Sequence, residues 1–295
     1  MVDRIIASVI GIRIYKKWAI FMAEQGLSAG WHKGTHYIRA GAGEVLLLIH
    51  GVGMNCGFWA PQINAFSPEW DVIAYDTLGH GGSPLPSDPA TLAEYAAQAI
   101  DLLDGLGVGR VKVVGHSMGA LIALDLALRH PDRIGAVVAM NAVYRRSPEQ
   151  RAAVERRVRL LDDDHPADWQ QSAMDRWFGA RISPQCMPAA VWVRAALGCL
   201  RPEGYRRAYR LFATADAAHT GRLGRLRLPA LFLTGELDGN SSPAMARQMA
   251  AEAPDARALI LSGERHMMSL ASPVTVNAAL RDFLEEDATL PLVAG

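Results

Sequence analysis

Short apolar runs alternating with helical patterns along most of this chain point to a parallel sheet covered by helices. Glu44-Val-Leu-Leu-Leu-Ile-His50 is continuously apolar at its centre, as a strand buried on both faces must be. Asp71–Asp76, Arg110–Gly115, Ile134–Met140, Ala230–Gly235 and Ala256–Gly263 repeat the pattern. Between them lie predicted helices. One starts at Thr91, with Glu94 three residues on as a capping box, and runs to about Leu106. Another follows Ser117 and stops at His130-Pro131, where proline forbids continuation. Ser242-Pro243 offers an N-cap with proline at the first helical position, and a last helix runs from about Ser272-Pro273 to Glu285–Asp287.

The alternation breaks between residues 143 and 228. This stretch reads as helical, without a convincing strand, and as an insertion between two strands of the main sheet. It carries 13 arginines against eight acids between Tyr144 and Arg210, a local surplus of five positive charges in a chain whose 30 acids and 30 bases balance. Solvated helix faces explain most charge runs; an attraction for an anionic substrate is the sharper alternative. The expected organisation is a core of residues 31–142 and 229–295 with a helical cap over 143–228. The first 30 residues read as an apolar, partly basic helix ending near Gly26, packed on the body of the protein. A lid, a homodimer contact or a membrane-surface contact are the other readings.

Composition narrows the class further. With 295 residues, half apolar and a fifth charged, the chain can bury a large core. Charge balance speaks against nucleic-acid binding, which usually needs a basic surplus. The surplus of Arg over Lys reads as genome composition. Cys56, Cys186 and Cys199 are an odd number at spacings that suggest neither disulfides nor zinc. No apolar stretch reaches the roughly 18 residues that span a bilayer. Arg13, Lys16 and Lys17 stand where a signal-peptide cleavage site would need small residues. A reducing, cytoplasmic location is expected.

The chemistry is concentrated at Gly115-His116-Ser117-Met118-Gly119, between an apolar strand and a helix. Such a turn holds the Ser117 hydroxyl exposed at the strand's end, in a strained conformation that side chains at 115 and 119 would obstruct. The following helix aims its positive end at developing negative charge. A serine needs a base, and the base an orienting carboxylate. Asp238 and His266 each follow a predicted strand, so both fall on the carboxyl edge where open α/β sheets build their sites. Glu236 and Glu264 are rival acids. His116, His50 and His80 read as structural. For the oxyanion, the glycine-rich His50-Gly51-Val52-Gly53-Met54 turn offers the Val52 N–H, to act with that of Met118. This turn lacks the lysine of a phosphate loop and the spacing of a dinucleotide site.

These motifs together resemble the α/β-hydrolase superfamily, over residues 31–286 and in the family's order. The resemblance implies the α/β-hydrolase fold, a mostly parallel doubly wound sheet with an inserted helical cap. His50-Gly51 with Gly53 resembles the family's oxyanion loop, and Asp76–Ser83 its D-x-x-G-x-G-x-S turn, with Leu78 where arginine is common. Ser117, Asp238 and His266 resemble nucleophile, acid and base, with Arg265 where glycine often precedes the histidine. Met174-Asp-Arg-Trp-Phe178 and Arg201-Pro-Glu-Gly-Tyr205 resemble the 3-oxoadipate enol-lactonase branch.

The expectation is a cofactor-free, metal-free serine hydrolase cleaving a small carboxylic ester or lactone through an acyl-enzyme. A carbon–carbon or amide hydrolase on the same triad is the alternative, and a non-hydrolytic receptor or lyase the rival from another class. Gly51, Gly53, Met54, Phe58, Trp59, Trp177, Trp192, Met267 and Met268 are candidate pocket walls, and each equally fits a core. Arg145, Arg176, Arg181 and Arg194 are candidate anion contacts, whereas Arg156, Arg157 and Arg159 read as a solvated face.

Overall fold

The computed structural model describes residues 27–162 and 166–286. Strands β1 (Ser28–His32), β2 (Thr35–Ala40), β3 (Val45–Ile49), β4 (Asp71–Tyr75), β5 (Val111–His116), β6 (Ile134–Met140), β7 (Ala230–Gly235) and β8 (Ala256–Leu261) form one sheet. Their order is β1-β2-β4-β3-β5-β6-β7-β8, antiparallel at β1–β2 and β2–β4 and parallel elsewhere. The apolar runs are the parallel part, and alternation of side chains explains why they are apolar throughout. Leu47, Ile49 and Val113 pack on one face, beneath α2 (Leu92–Gly105) and α3 (Met118–Arg129). Leu46, Leu48 and Val114 pack on the other, beneath α1 (Ala60–Phe66) and the last helix, Pro273–Glu286.

Local signals place the helix ends. Thr91 caps α2 by accepting from the Glu94 N–H, but the box is not reciprocal: the Glu94 carboxylate accepts from the Ser87 N–H and hydroxyl. Ser242 accepts from the Met245 N–H, with Pro243 opening the helix Pro243–Glu252 as expected.

The connection from β6 to β7 holds α4 (Pro148–Asp162), α5 (Pro166–Phe178), α6 (Met187–Gly198) and α7 (Pro202–Thr214), with no strand among the described residues. α7 seats on the core at a point where backbones nearly touch. A Cβ on Gly204 would lie 2.0 Å from the Gly79 carbonyl oxygen, so glycine is required there. Arg201 and Arg207 donate to the carbonyls of Ser83 and Pro86, which uses two of the segment's arginines as fasteners. After β7 and β8, the remaining helices α8 (Pro243–Glu252), α9 (Met268–Ala271) and α10 (Pro273–Glu286) complete the layers.

The expected helix over the first 30 residues lies, up to residue 26, outside the described residues. Ser28–Gly30, the part of the N-terminal segment beyond the helix end expected near Gly26, are strand. β1 pairs with β2 around Lys33 (φ 44°) and Gly34 (φ 85°), the paired positive dihedrals of a tight hairpin. Trp31, at 62% exposure, marks it as an edge. No helix of the described residues is long and apolar enough to cross a membrane.

Candidate active site

Three elements converge at the carboxyl edge of the sheet. Ser117 sits between β5 and α3 with φ 56° and ψ −116°, a conformation that costs a non-glycine residue on the order of 1–3 kcal/mol. Neighbouring glycines permit it. A Cβ on Gly115 would lie 2.1 Å from the Gly119 carbonyl oxygen, and one on Gly119 2.1 Å from that of Ile49. Although Ser117 caps α3, its hydroxyl does not bond the helix. Instead Oγ lies 3.2 Å from His266 Nε2, and His266 Nδ1 lies 2.8 Å from Asp238 Oδ2.

Asp238 is fully engaged. Its Oδ2 also accepts from Asn141 Nδ2 (2.8 Å), and its Oδ1 from the N–H groups of Asn240 (2.8 Å) and Ser241 (3.1 Å). Burial alone would raise this carboxyl. The facing imidazole and these donors outweigh burial and hold it below its ordinary value. Glu236, the rival acid, points away and accepts from Ser262 and the Gly263 N–H at the surface. Sequence reasoning missed Asn141. It directly follows β6 with φ 51°, a region asparagine tolerates, and that placement is the signal a sequence carries.

The N–H groups of Val52 and Met118 donate to no acceptor among the described residues. The Gly51–Met54 turn is held from beneath. His80 Nε2 accepts from the Gly53 N–H at 3.0 Å, and His50 Nε2 from the Thr77 N–H at 3.0 Å. Both rings are buried, which lowers His50 and brings His80 down to about 3, so they stay neutral acceptors. His116 donates Nε2–H to the His266 carbonyl, and burial, then the nearby His266, lowers it to about 3. These three rings occupy the structural roles read from the sequence.

The pocket candidates divide. Trp177 lies over His266 (ring centroids 6.1 Å apart, planes 17° from parallel). Trp177, Arg181 and Met267 line a cavity of about 190 Å³ with Met268. Met54, Phe58 and Trp59 are fully buried and belong to the apolar cluster that also holds Leu46 and Leu48. Trp192 reaches Phe58, with ring centroids 6.3 Å apart. Arg145 pairs with Glu252 and stacks on Tyr144, and Arg194 is exposed. Arg176 lines a second cavity, of about 180 Å³, with Arg146 and Arg157. Arg157 is therefore no member of a solvated face: it is half-buried with Nε on the Tyr209 hydroxyl, while Arg156 and Arg159 are exposed.

One cluster has the donor types of a metal site. Atoms of His36, Cys56 and Asp76 lie within 4.8 Å of one another. Asp76 already accepts from His36 Nδ1 and from the Cys56 and Gly82 N–H groups, and burial pushes the Cys56 thiol well up. Hydrogen bonding accounts for this cluster, which ties the Asp76–Ser83 turn to β2.

The model of the alpha/beta hydrolase fold family matches residues 44–273. The chain belongs to this family. Among its relatives, the (E)-2-((N-methylformamido)methylene)succinate hydrolase of Acinetobacter baylyi is 36% identical over 264 residues, covering 90% of this chain and 99% of the relative. Two solved structures agree in fold. The enol-lactonase of Burkholderia xenovorans superposes with a TM-score of 0.78 at 27% identity, over 87% of this chain and 99% of its own. A hydrolase from Pseudomonas aeruginosa gives 0.78 at 25%, over 88% and 98%. The α/β-hydrolase resemblance read from the motifs thus holds for the family and the fold.

Proposed function

We propose that the protein is a serine hydrolase that opens a small carboxylic ester or lactone through an acyl-enzyme. The observation that carries this reading is the uninterrupted chain Ser117 Oγ–His266–Asp238 beside two unengaged amide N–H groups. In the mechanism, Ser117 Oγ attacks the carbonyl carbon while His266 Nε2 takes its proton. Asp238 holds the Nδ1–H tautomer and stabilises the imidazolium. The tetrahedral oxyanion rests on the N–H groups of Val52 and Met118, each worth about 3–4 kcal/mol in the transition state. His266 returns the proton to the leaving oxygen as the carbon–oxygen bond breaks. Water, deprotonated by His266, then releases the acid and restores Ser117.

A second reading has a specific observation behind it. The Acinetobacter relative is named for an acyl C–N substrate, and the same machinery cleaves an amide if His266 protonates the leaving nitrogen. A carbon–carbon substrate, and a non-hydrolytic receptor or lyase, remain the further alternatives. Turnover of matched nitrophenyl ester, lactone and N-acyl substrates ranks the bond types. A fluorophosphonate probe must label Ser117 stoichiometrically and abolish turnover. A protein that labels slowly and never turns over is a receptor, and the proposal then fails.

A further inference from the structure

The second cavity is built from residues far apart in sequence. Arg146 enters from the loop after β6, Arg157 and Gln150 from α4, and Arg176 from α5. Its floor is Gly239-Asn240, the two residues that follow Asp238, and the Asn240 N–H is itself bonded to that carboxylate. The cavity therefore abuts the acid side of the triad. Three guanidinium groups share it, and only one has a carboxylate. Arg146 pairs with Asp216 through Nη1, while neither Arg157 nor Arg176 has an ion-pair partner among the described residues.

Two donors there are left without acceptors. Arg146 is only 5% exposed and its Nη2 is bonded to nothing; Arg176 Nε is likewise buried and unbonded. A buried donor without an acceptor costs on the order of 1–3 kcal/mol, more when charged. Burial, and next the Arg157 charge, depress the Arg176 guanidinium. An anion seated among these groups would supply the missing countercharge and offer acceptors to the guanidinium groups that line the cavity. Arginine suits a carboxylate in particular, because its planar fork donates two parallel hydrogen bonds.

We propose that Arg146, Arg157 and Arg176 form a carboxylate-binding subsite, and that the carboxylate it holds belongs to the acyl substrate being hydrolysed. This rests on the hydrolase reading above and narrows it to substrates bearing a free carboxylate besides the scissile group. Trp177 links the two halves physically: it follows Arg176 on α5 and lies over the His266 ring. One helix turn thus holds both a wall of the anion cavity and the cover of the catalytic base.

The test uses succinate as probe and the full chain. Calorimetry on Ser117→Ala protein should show succinate binding, with dimethyl succinate and inorganic sulfate at least tenfold weaker. Arg176→Gln should weaken succinate at least tenfold. Arg176→Lys, which keeps the charge but not the fork, should recover only part. Thermal melts separate loss of binding from loss of fold, and Arg157→Gln provides an independent second variant. With wild-type protein, succinate should inhibit nitrophenyl acetate hydrolysis competitively.

Absence of succinate binding to folded protein, or binding that ignores both substitutions, overturns the subsite. Sulfate binding as tight as succinate overturns the carboxylate assignment. Binding that depends on the arginines but is non-competitive overturns the assignment to substrate and leaves a free carboxylate ligand. Because the calorimetry needs no turnover, failure of the hydrolase reading alone leaves arginine-dependent succinate binding intact.

Discussion

Trp177 lies nearly parallel to the His266 imidazole, with the ring planes 17° apart and the centroids separated by 6.1 Å. The indole lies alongside the imidazole, while Ser117 and Asp238 hold its two nitrogens. A ring held at both ends, with an indole packed alongside, has little freedom to leave the line between Ser117 and Asp238. Trp177→Ala should lower kcat by about 10–100-fold through loss of that alignment, with a smaller change in KM. Trp177→Phe should recover most of it. Steady-state kinetics on a neutral nitrophenyl ester decide the matter, and an effect confined to KM would make Trp177 a substrate contact instead.

Two acids compete on the loop after β7, and their surroundings separate them. Asp238→Asn should lower kcat by about 10⁴-fold, because His266 is left with the wrong tautomer. Glu236→Gln removes the charge behind the surface hydrogen bonds from Ser262 and Gly263 and should change kcat less than twofold. If the losses come out the other way round, the acid has been misassigned.

Asn141 supports the same carboxylate from behind. Its removal in Asn141→Ala takes away one of the donors that hold the Asp238 carboxyl low. A depressed carboxyl contributes stability that is complete above its unfolded value, about 3.9, and is lost as pH falls through the folded value. The folded value should rise in the variant, so its acid-induced unfolding should begin at higher pH than in the wild type. A denaturation series from pH 7 to pH 3 measures this, and superimposable acid limbs would remove Asn141 from the account.

Asp76 offers the same linkage at a structural position. Burial raises it, but hydrogen bonds from His36, Cys56 and Gly82 and the nearby His50 bring it down to about 2. Against an unfolded value of about 3.9, a shift of nearly two units corresponds to about 2–3 kcal/mol. That contribution is present above about pH 4 and disappears as pH falls through 2. Asp76→Asn should therefore lose on the order of 2–3 kcal/mol at pH 7 and almost nothing extra at pH 2. Equal losses at both pH values would mean that packing, not the carboxylate, is what matters there.

Which parts of this structure a sequence reveals follows from burial. β3 to β7 run through the middle of the sheet, so most of their positions are buried and apolar and the runs stand out. Thr35-His-Tyr-Ile-Arg-Ala40 lies near an edge with a mixed pattern, and its partner β1 was hidden behind an apolar N-terminal run. Ser117, Asp238 and His266 were legible because each follows a strand end, where the topology brings side chains to one edge. Arg176 was a candidate anion contact from its apolar neighbours, but Arg146 and Arg157 were not, since their convergence with it depends on how α4 and α5 pack against the loop after β6. Nothing in the local sequence distinguishes Arg157 from Arg156 or Arg159.

The docking of α7 gives the last expectation. Its Arg201-Pro-Glu-Gly-Tyr205 segment brings Gly204 against the backbone of Gly79, so close that an added Cβ would meet the Gly79 carbonyl oxygen at 2.0 Å. Backbone cannot yield there as a flexible side chain would. In Gly204→Ala the two segments must separate, and Tyr205, which a Cβ on Gly53 would meet at 3.2 Å, must move with them. The Gly51–Met54 turn and the inserted helices thus meet in this contact region. The substitution should cost about 1–3 kcal/mol as an overpacking change. It should also lower kcat/KM, by shifting the Gly51–Met54 turn. Ala would stabilise an ordinary exposed helix position by up to about 1 kcal/mol, so the sign of the change in Tm is decisive. A raised Tm with unaltered kcat/KM would show that the contact is not what seats the inserted helices on the core.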